Sequence, residues 1–147
     1  MLRQCSIDDI TEGRISREKA YLVVCMHFYP RHLKKEMRDE YLHKLAPDEK
    51  LLKEFNSMKT NLADHNAAFR VVKYEEKFKL VPEALDDLKR LADLSQGKDV
   101  YLACLCGTGE RCHRDLLLMV AEYKFKASVE KPRFAYPDFA KRLEKNF

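Results

Sequence analysis

From Tyr21 to Phe28 the chain reads YLVVCMHF, apolar at nearly every position, rich in β-branched and aromatic residues, and ended by Pro30. A short run with no polar face predicts a strand buried on both sides. Leu2 to Ile7 predicts a second strand. Beyond Arg31 the spacing lengthens: Leu33, Met37, Tyr41, Leu42 and Leu45 recur every three or four residues among charges, which predicts a helix. Pro47 interrupts it and opens another through Leu51, Leu52 and Phe55, with Asp48 and Glu49 placed well for the helix dipole. Asn56 to His65 is polar and reads as a loop.

The stretch NAAFRVVKYEEKFKL fits two patterns. Ala68, Val71, Val72 and Phe78 share a helical face, whereas Arg70 to Tyr74 alternates as a strand would; the helix is the preferred reading. Pro82 opens a helix carrying Leu85, Leu88, Leu91 and Ala92 on one stripe and stopping near Gly97. Asp99 to Cys106, DVYLACLC, then predicts a central parallel strand. After GTGER, Leu116, Leu117, Val120, Ala121 and Phe125 set a helix over Cys112 to Phe125. A loop through Pro132 and Pro137 precedes a final helix with Phe139, Leu143 and Phe147.

Helices separating apolar strands predict an α/β fold: one domain over residues 1–147, with a small, mostly parallel sheet flanked by helices. A chain of 147 residues suits one domain. At 46% hydrophobic and 35% charged residues it is too apolar for disorder and too interrupted by charge for a membrane span. The opening MLRQCSIDDITEGR lacks the apolar run of a signal peptide, so a cytoplasmic location is expected, with no membrane partner. Five cysteines, three of them between Cys104 and Cys112, argue against a secreted disulfide framework and for reduced thiols or metal ligands.

The carboxyl end of a parallel strand feeding a helix N-terminus is where open α/β sheets bind ligands. The Cys106 to Cys112 segment has that arrangement. Gly107 and Gly109 permit left-handed backbone and close ligand approach, and Thr108 offers a hydroxyl. The lysine and glycine spacing of a Walker loop are missing, while Cys106 and Arg111 are spaced as in the anion loops of rhodanese-like sulfurtransferases. Period-two alternation puts Cys104 and Cys106 on one face, and the helix start brings Cys112, His113 and Arg114 near its tip. A thiol beside a helix N-terminus and cations has its thiolate favoured, as a nucleophile requires. His27, at the end of the first long strand, faces the same crevice in a parallel sheet, and Arg31 is an anion contact at the following helix start. His32, His43 and His65 read as surface residues. Cys104 also suits the bland role of a small buried hydrophobe.

Two stretches resemble a known family. FYPRHLKKEMRDEYLHKLAPDEKLLKEF, Phe28 to Phe55, is similar to the proline-arginine and leucine-alanine-proline segments of the YeaO-like proteins. YLACLCGTGERCHRDLLL, Tyr101 to Leu118, resembles the cysteine and Cys-His-Arg signature of the wider domain-of-unknown-function family four hundred and eighty-eight. The resemblance implies a Rossmann-like α/β fold and a site joining the first-strand end to the Cys-His-Arg loop, without an established reaction. Cys104 matches the strand cysteine, Cys112, His113 and Arg114 the Cys-His-Arg, and Pro30 and Arg31 the proline-arginine pair. Met26 and His27 stand where YeaO-like proteins usually carry Asp-Arg, and Cys106 and Gly107 where an acidic residue often follows the strand cysteine.

The expectation is therefore an enzyme or ligand-binding domain for a small anionic, phosphate-bearing or nucleotide-like ligand. Cys104, Cys112, His113 and Arg114 form its catalytic set; Gly107, Thr108, Gly109, Arg31 and His27 bind the ligand; no cofactor and no metal are expected. One alternative is a nucleic-acid-binding module. The formal charge of +4 is modest, but Lys141, Arg142 and Lys145 lie in a basic C-terminal stretch. The other is a structural zinc protein using the three cysteines and His113, although C-x-C-x5-C-H is not a familiar zinc spacing. The sequence specifies no oligomeric state.

Overall fold

Four strands pair in parallel in the computed structural model, which describes residues 1–146. They are β1 (Leu2–Ser6), β2 (Tyr21–Val24), β3 (Glu40–Tyr41) and β4 (Val100–Cys104), in the order β1-β4-β2-β3. β4 lies between β1 and β2, with Ala103 opposite both Cys5 and Val24. Pairing on both edges and packing on both faces explain why β2 and β4 read as unbroken apolar runs. The α/β architecture expected from the sequence is the one observed, and the sheet is wholly parallel.

The helices are α1 (Ile7–Thr11), α2 (Glu49–Leu62), α3 (His65–Val71), α4 (Tyr74–Lys77), α5 (Pro82–Leu94), α6 (His113–Phe125) and α7 (Pro137–Asn146). One face of the sheet, through Leu2, Val23, Val100 and Leu102, joins a core with Leu88, Leu117, Phe69, Phe78 and Phe139 from the helices. The other face carries Cys5, Leu22, Val24 and Ala103 beneath Ile7, Ile10 and Leu33. No helix among the described residues is long and apolar enough to cross a membrane.

The helix expected from Arg31 is absent. Residues 31–45 instead contain two 3-10 turns, Lys35–Met37 and His43–Leu45, around the edge strand β3. β2 would otherwise expose an unpaired edge, and this segment satisfies it. Asp39 N–H donates to the Leu22 carbonyl at 2.8 Å, its carboxylate accepts the Leu22 N–H at 2.8 Å, and Leu42 N–H donates to the Val24 carbonyl at 2.9 Å. Leu33 goes to one core and Leu45 to the other, so their helical spacing never formed a single stripe.

Asn56 to His65, expected as a loop, is mostly the second half of α2, whose Phe55 and Met58 turn inward while its polar side faces water. Asp48 caps α2 through Leu51 N–H at 2.8 Å. The single helix expected after His65 is two, α3 and α4, broken at Lys73 with φ +58°. Pro137, expected in the last loop, is the first residue of α7. The expectation for Phe147 lies outside the described residues.

Candidate functional site

Adjacent β2 and β4 end side by side, and beyond their carboxyl ends lies a predominantly apolar pocket of about 260 Å³. Met26, His27 and Phe28 leave β2 along one wall. Leu52, Phe55 and Lys59 of α2, with Tyr74, form another. Cys104, Cys106, Arg111, Cys112 and His113 also line it.

The Sγ atoms of Cys104, Cys106 and Cys112 lie within 4.8 Å of one another. Cys104 ends β4, Cys106 follows two residues on, and Cys112 is the extended N-cap of α6 at φ −149°. Ordinary N-cap side chains accept a hydrogen bond from their own helix. Cys112 makes no such bond. Its sulfur instead accepts Arg114 Nε–H at 3.3 Å and sits 3.4 Å from His113 Nδ1.

His113 Nε2 is 2.6 Å from the Cys25 carbonyl oxygen, the other side of the imidazole being the one that meets Cys112. A carbonyl can only accept, so Nε2 carries a hydrogen and Nδ1 is the nitrogen that faces the Cys112 sulfur.

Burial opposes ionisation of Cys112, but hydrogen bonds from the Cys104 and Cys106 thiols, together with the charges of His113 and Arg114, hold it well below the ordinary thiol range. Cys104 gains from the Cys106 thiol, yet its bond to Cys112 and its burial push it up to about 12. Cys106 is pushed further up by hydrogen bonding to Cys104 and Cys112 and by burial. Negative charge is thereby concentrated on Cys112, with two S–H donors beside it. Cys5, in β1, and Cys25, just beyond the end of β2, are also buried; burial lifts Cys5 to about 12 and Cys25 above the ordinary range.

Arg114 is not at the rim where an anion contact would stand. It is fully buried, and its guanidinium donates to the Cys5 carbonyl, to the Cys106 carbonyl at 2.9 Å and to Cys112 Sγ. These bonds tie the end of β1 and the loop after β4 to the start of α6. Its charge serves the thiolate from beneath.

The loop is likewise no open cradle of N–H groups. Gly107 N–H donates to Glu110 Oε1 at 2.7 Å, Arg111 N–H to Asn66 Oδ1 at 2.8 Å, and Cys112 N–H to the Tyr136 hydroxyl at 3.4 Å. Neither Gly107 nor Gly109 has a positive φ. Gly107, Thr108 and Gly109 lie outside the pocket lining, as does Arg31, which is exposed. His27 does line it, with its ring 4.6 Å from that of Phe28.

Several residues that matter here carried no local signal. His65, expected at the surface, bridges Glu110 Oε2 at 3.2 Å and the Arg111 carbonyl at 2.7 Å, and Asn66 Nδ2 donates to the Gly109 carbonyl at 3.0 Å. The start of α3 thus staples the 107–111 loop from more than 40 residues away. Behind Cys112, buried Asp115 accepts Tyr136 O–H at 2.6 Å, Gln4 Nε2 at 2.6 Å and Arg133 N–H at 3.0 Å.

The three sulfurs have the spacing of a soft-metal site, but His113 does not converge with them as a fourth ligand, because its two nitrogens are held by Cys25 and Cys112. In the C-terminal helix, Phe139 and Leu143 are buried, and Arg142 donates to the Glu75 carbonyl with its guanidinium over the Phe139 ring. Arg142 therefore fastens α7 to α4.

Residues 6–124, spanning the strand ends, the pocket walls and nearly all of α6, match the family model DUF488-N3a, described as the active DUF488-N3 subclade. No curated protein and no solved structure matches the chain.

Proposed function

We propose, for a chain that belongs to the DUF488-N3a family of domains of unknown function, that the pocket binds a small anionic ligand with a planar or apolar body and that Cys112 attacks it as a thiolate. The observation that carries this reading is the Cys112 sulfur beside His113 Nδ1 and Arg114 Nε at the base of a cavity whose lining includes four basic side chains, His27, Lys59, Arg111 and His113. Among the described residues no carboxylate lines it.

An apolar cavity raises the worth of each charge inside it, so Lys59 at the wall would attract an anion strongly once water is displaced. Its ammonium stands 5.4 Å from the Phe55 ring centroid. Arg111 is braced by the Ala135 carbonyl and by the Phe134 and Tyr136 rings. Phe28, 64% exposed, offers a face for a planar group such as a nucleobase. In the reaction, Cys112 Sγ forms the covalent bond to the ligand's electrophilic centre, and His113 Nδ1 takes the thiol proton and returns it to the leaving group.

The test is protection. Iodoacetamide labelling of Cys112, read by mass spectrometry, should slow when a mononucleotide or sugar phosphate from a screened panel is present, and the same ligand should raise the melting temperature. Lys59→Ala should lose both effects. Equal responses in wild type and Lys59→Ala, or no protection across the panel, would argue against the reading.

A further inference from the structure

Three thiols at one point are more than a single nucleophile needs, and the two spare ones are differently placed. Cys104 is the last residue of β4, paired in register with Ser6 of β1, and is 7% exposed. Cys106 lies two residues beyond the strand in the connecting loop and is half-buried. A disulfide requires sulfurs about 2 Å apart. All three sulfurs start within 4.8 Å of one another, but Cys106 sits on loop backbone outside the ladder, whereas the Cys104 backbone is held in register against Ser6, so Cys106 is the partner whose backbone is freer to follow the sulfur.

We infer that Cys112 and Cys106 form a dithiol pair that reduces hydroperoxides, with Cys112 the attacking sulfur and Cys106 the resolving one. The inference rests on the reading of Cys112 as a nucleophile and adds a co-substrate and a second residue to it. In the first step Cys112 thiolate attacks the terminal peroxide oxygen and the O–O bond breaks. Cys112 becomes a sulfenic acid, and the departing hydroxide or alkoxide takes a proton from His113 or water. In the second, Cys106 sulfur attacks the Cys112 sulfur, the S–O bond breaks, and the oxygen leaves as water carrying the proton Cys106 gives up. Two thiols are oxidised by two electrons, and one peroxide becomes water and an alcohol, or two waters. An external low-molecular-weight thiol reopens the disulfide by exchange.

The surroundings suit both steps. Arg114 Nε already donates to the attacking sulfur, and its NH2 group holds the Cys106 carbonyl at 2.9 Å, so one guanidinium keeps the two ends of the loop together. The cavity admits a small peroxide to Cys112, which is otherwise only 3% exposed. The loop between the two cysteines holds five residues and is fastened by side chains of α3 rather than by strand pairing, so it can yield without disturbing the sheet.

The experiment treats the fully reduced, full-length protein with one equivalent of hydrogen peroxide and reads intact mass and non-reducing peptide maps. Wild type should lose the mass of two hydrogens and yield a Cys106–Cys112 cross-linked peptide that dithiothreitol reverses. Cys106→Ser should halt at the sulfenic acid, trapped on Cys112 by dimedone, and Cys104→Ser should form the same Cys106–Cys112 cross-link, more slowly because one of the two thiol donors to Cys112 is replaced; circular dichroism establishes that each variant is folded. A Cys104–Cys112 cross-link, direct over-oxidation of wild-type Cys112, or a retained metal ion that shields all three sulfurs would each overturn the inference. If Cys112 alkylates rapidly at neutral pH yet forms no disulfide, the dithiol pair fails while the nucleophile reading stands. Slow alkylation as well would remove both.

Discussion

The Nε2 of His113 and the carbonyl oxygen of Cys25 are 2.6 Å apart, and that contact decides what the opposite nitrogen can do. With Nε2–H committed to the chain leaving β2, Nδ1 is left to Cys112 Sγ at 3.4 Å. The strand end thereby orients the imidazole, much as a carboxylate orients the histidine of other nucleophile pairs.

Cys112 should therefore alkylate quickly at pH values below the ordinary thiol value of roughly 8.5. Cys106 and Cys104, both pushed upward, should react only in alkali. His113→Asn removes the imidazole beside the sulfur and should slow alkylation of Cys112 at neutral pH by roughly 10- to 100-fold. Its pH profile should also move towards the free-thiol value. Rates of iodoacetamide labelling by position, measured across pH, check both statements, and an unshifted profile in His113→Asn would contradict the pairing.

Arg114 should prove indispensable to folding as well as to the thiolate. Replacing it by methionine leaves the carbonyls of Cys5 and Cys106 without their donor and removes the buried charge beside Cys112. The expected loss is about 3 kcal/mol or more. Arg114→Lys keeps the charge but cannot reach three acceptors at once, so it should recover only part of that loss. Urea denaturation of the two variants measures it.

Tyr136 and Asp115 form a buried pair behind the helix start. Tyr136→Phe deletes the donor to Asp115 Oδ2 and the acceptor for Cys112 N–H, while Gln4 and Arg133 still hold Oδ1. A cost of about 1–3 kcal/mol is expected in chemical denaturation. Asp115→Ala strands more partners and should cost more than Tyr136→Phe.

Much of this architecture is legible locally, and what is not has a common cause. β2, β4, α5 and α6 announce themselves because each is shaped by its own burial: two-faced for the strands, a stripe for α5, nearly all round for α6. The meeting of Cys104, Cys112 and His113 follows from strand direction and a short loop. Residues 31–45 mislead because their backbone serves the exposed edge of β2, a demand that leaves no mark on hydrophobic spacing. Arg114 reads as a rim residue because arginine is seldom fully buried; its acceptors, Cys5 and Cys106, lie on other elements. His65, Asn66 and Lys59 reach the site only through the folding of α2 and α3 against it.

The edge strand supplies a prediction of its own, on acid stability. Glu40 of β3 receives both terminal nitrogens of Arg90 on α5, at 2.9 and 2.8 Å, and the Tyr21 hydroxyl of β2 at 2.5 Å. The Arg90 hydrogen bonds, working against burial and helped by Tyr21, hold the Glu40 carboxyl below its ordinary 4.5. A carboxyl lowered in the folded state stabilises the fold fully above its unfolded value and loses that contribution as pH falls through the folded one. Wild type should therefore lose stability as pH drops below about 4.5, whereas Glu40→Gln, which cannot ionise, should lose less over the same interval. At neutral pH the variant should be less stable by about 0.5–1 kcal/mol, because Arg90 is half exposed and water weakens the pair. Thermal unfolding of both proteins from neutral to acid pH measures the convergence; parallel curves would mean that the Glu40–Arg90 pair contributes nothing to holding β3 on the sheet.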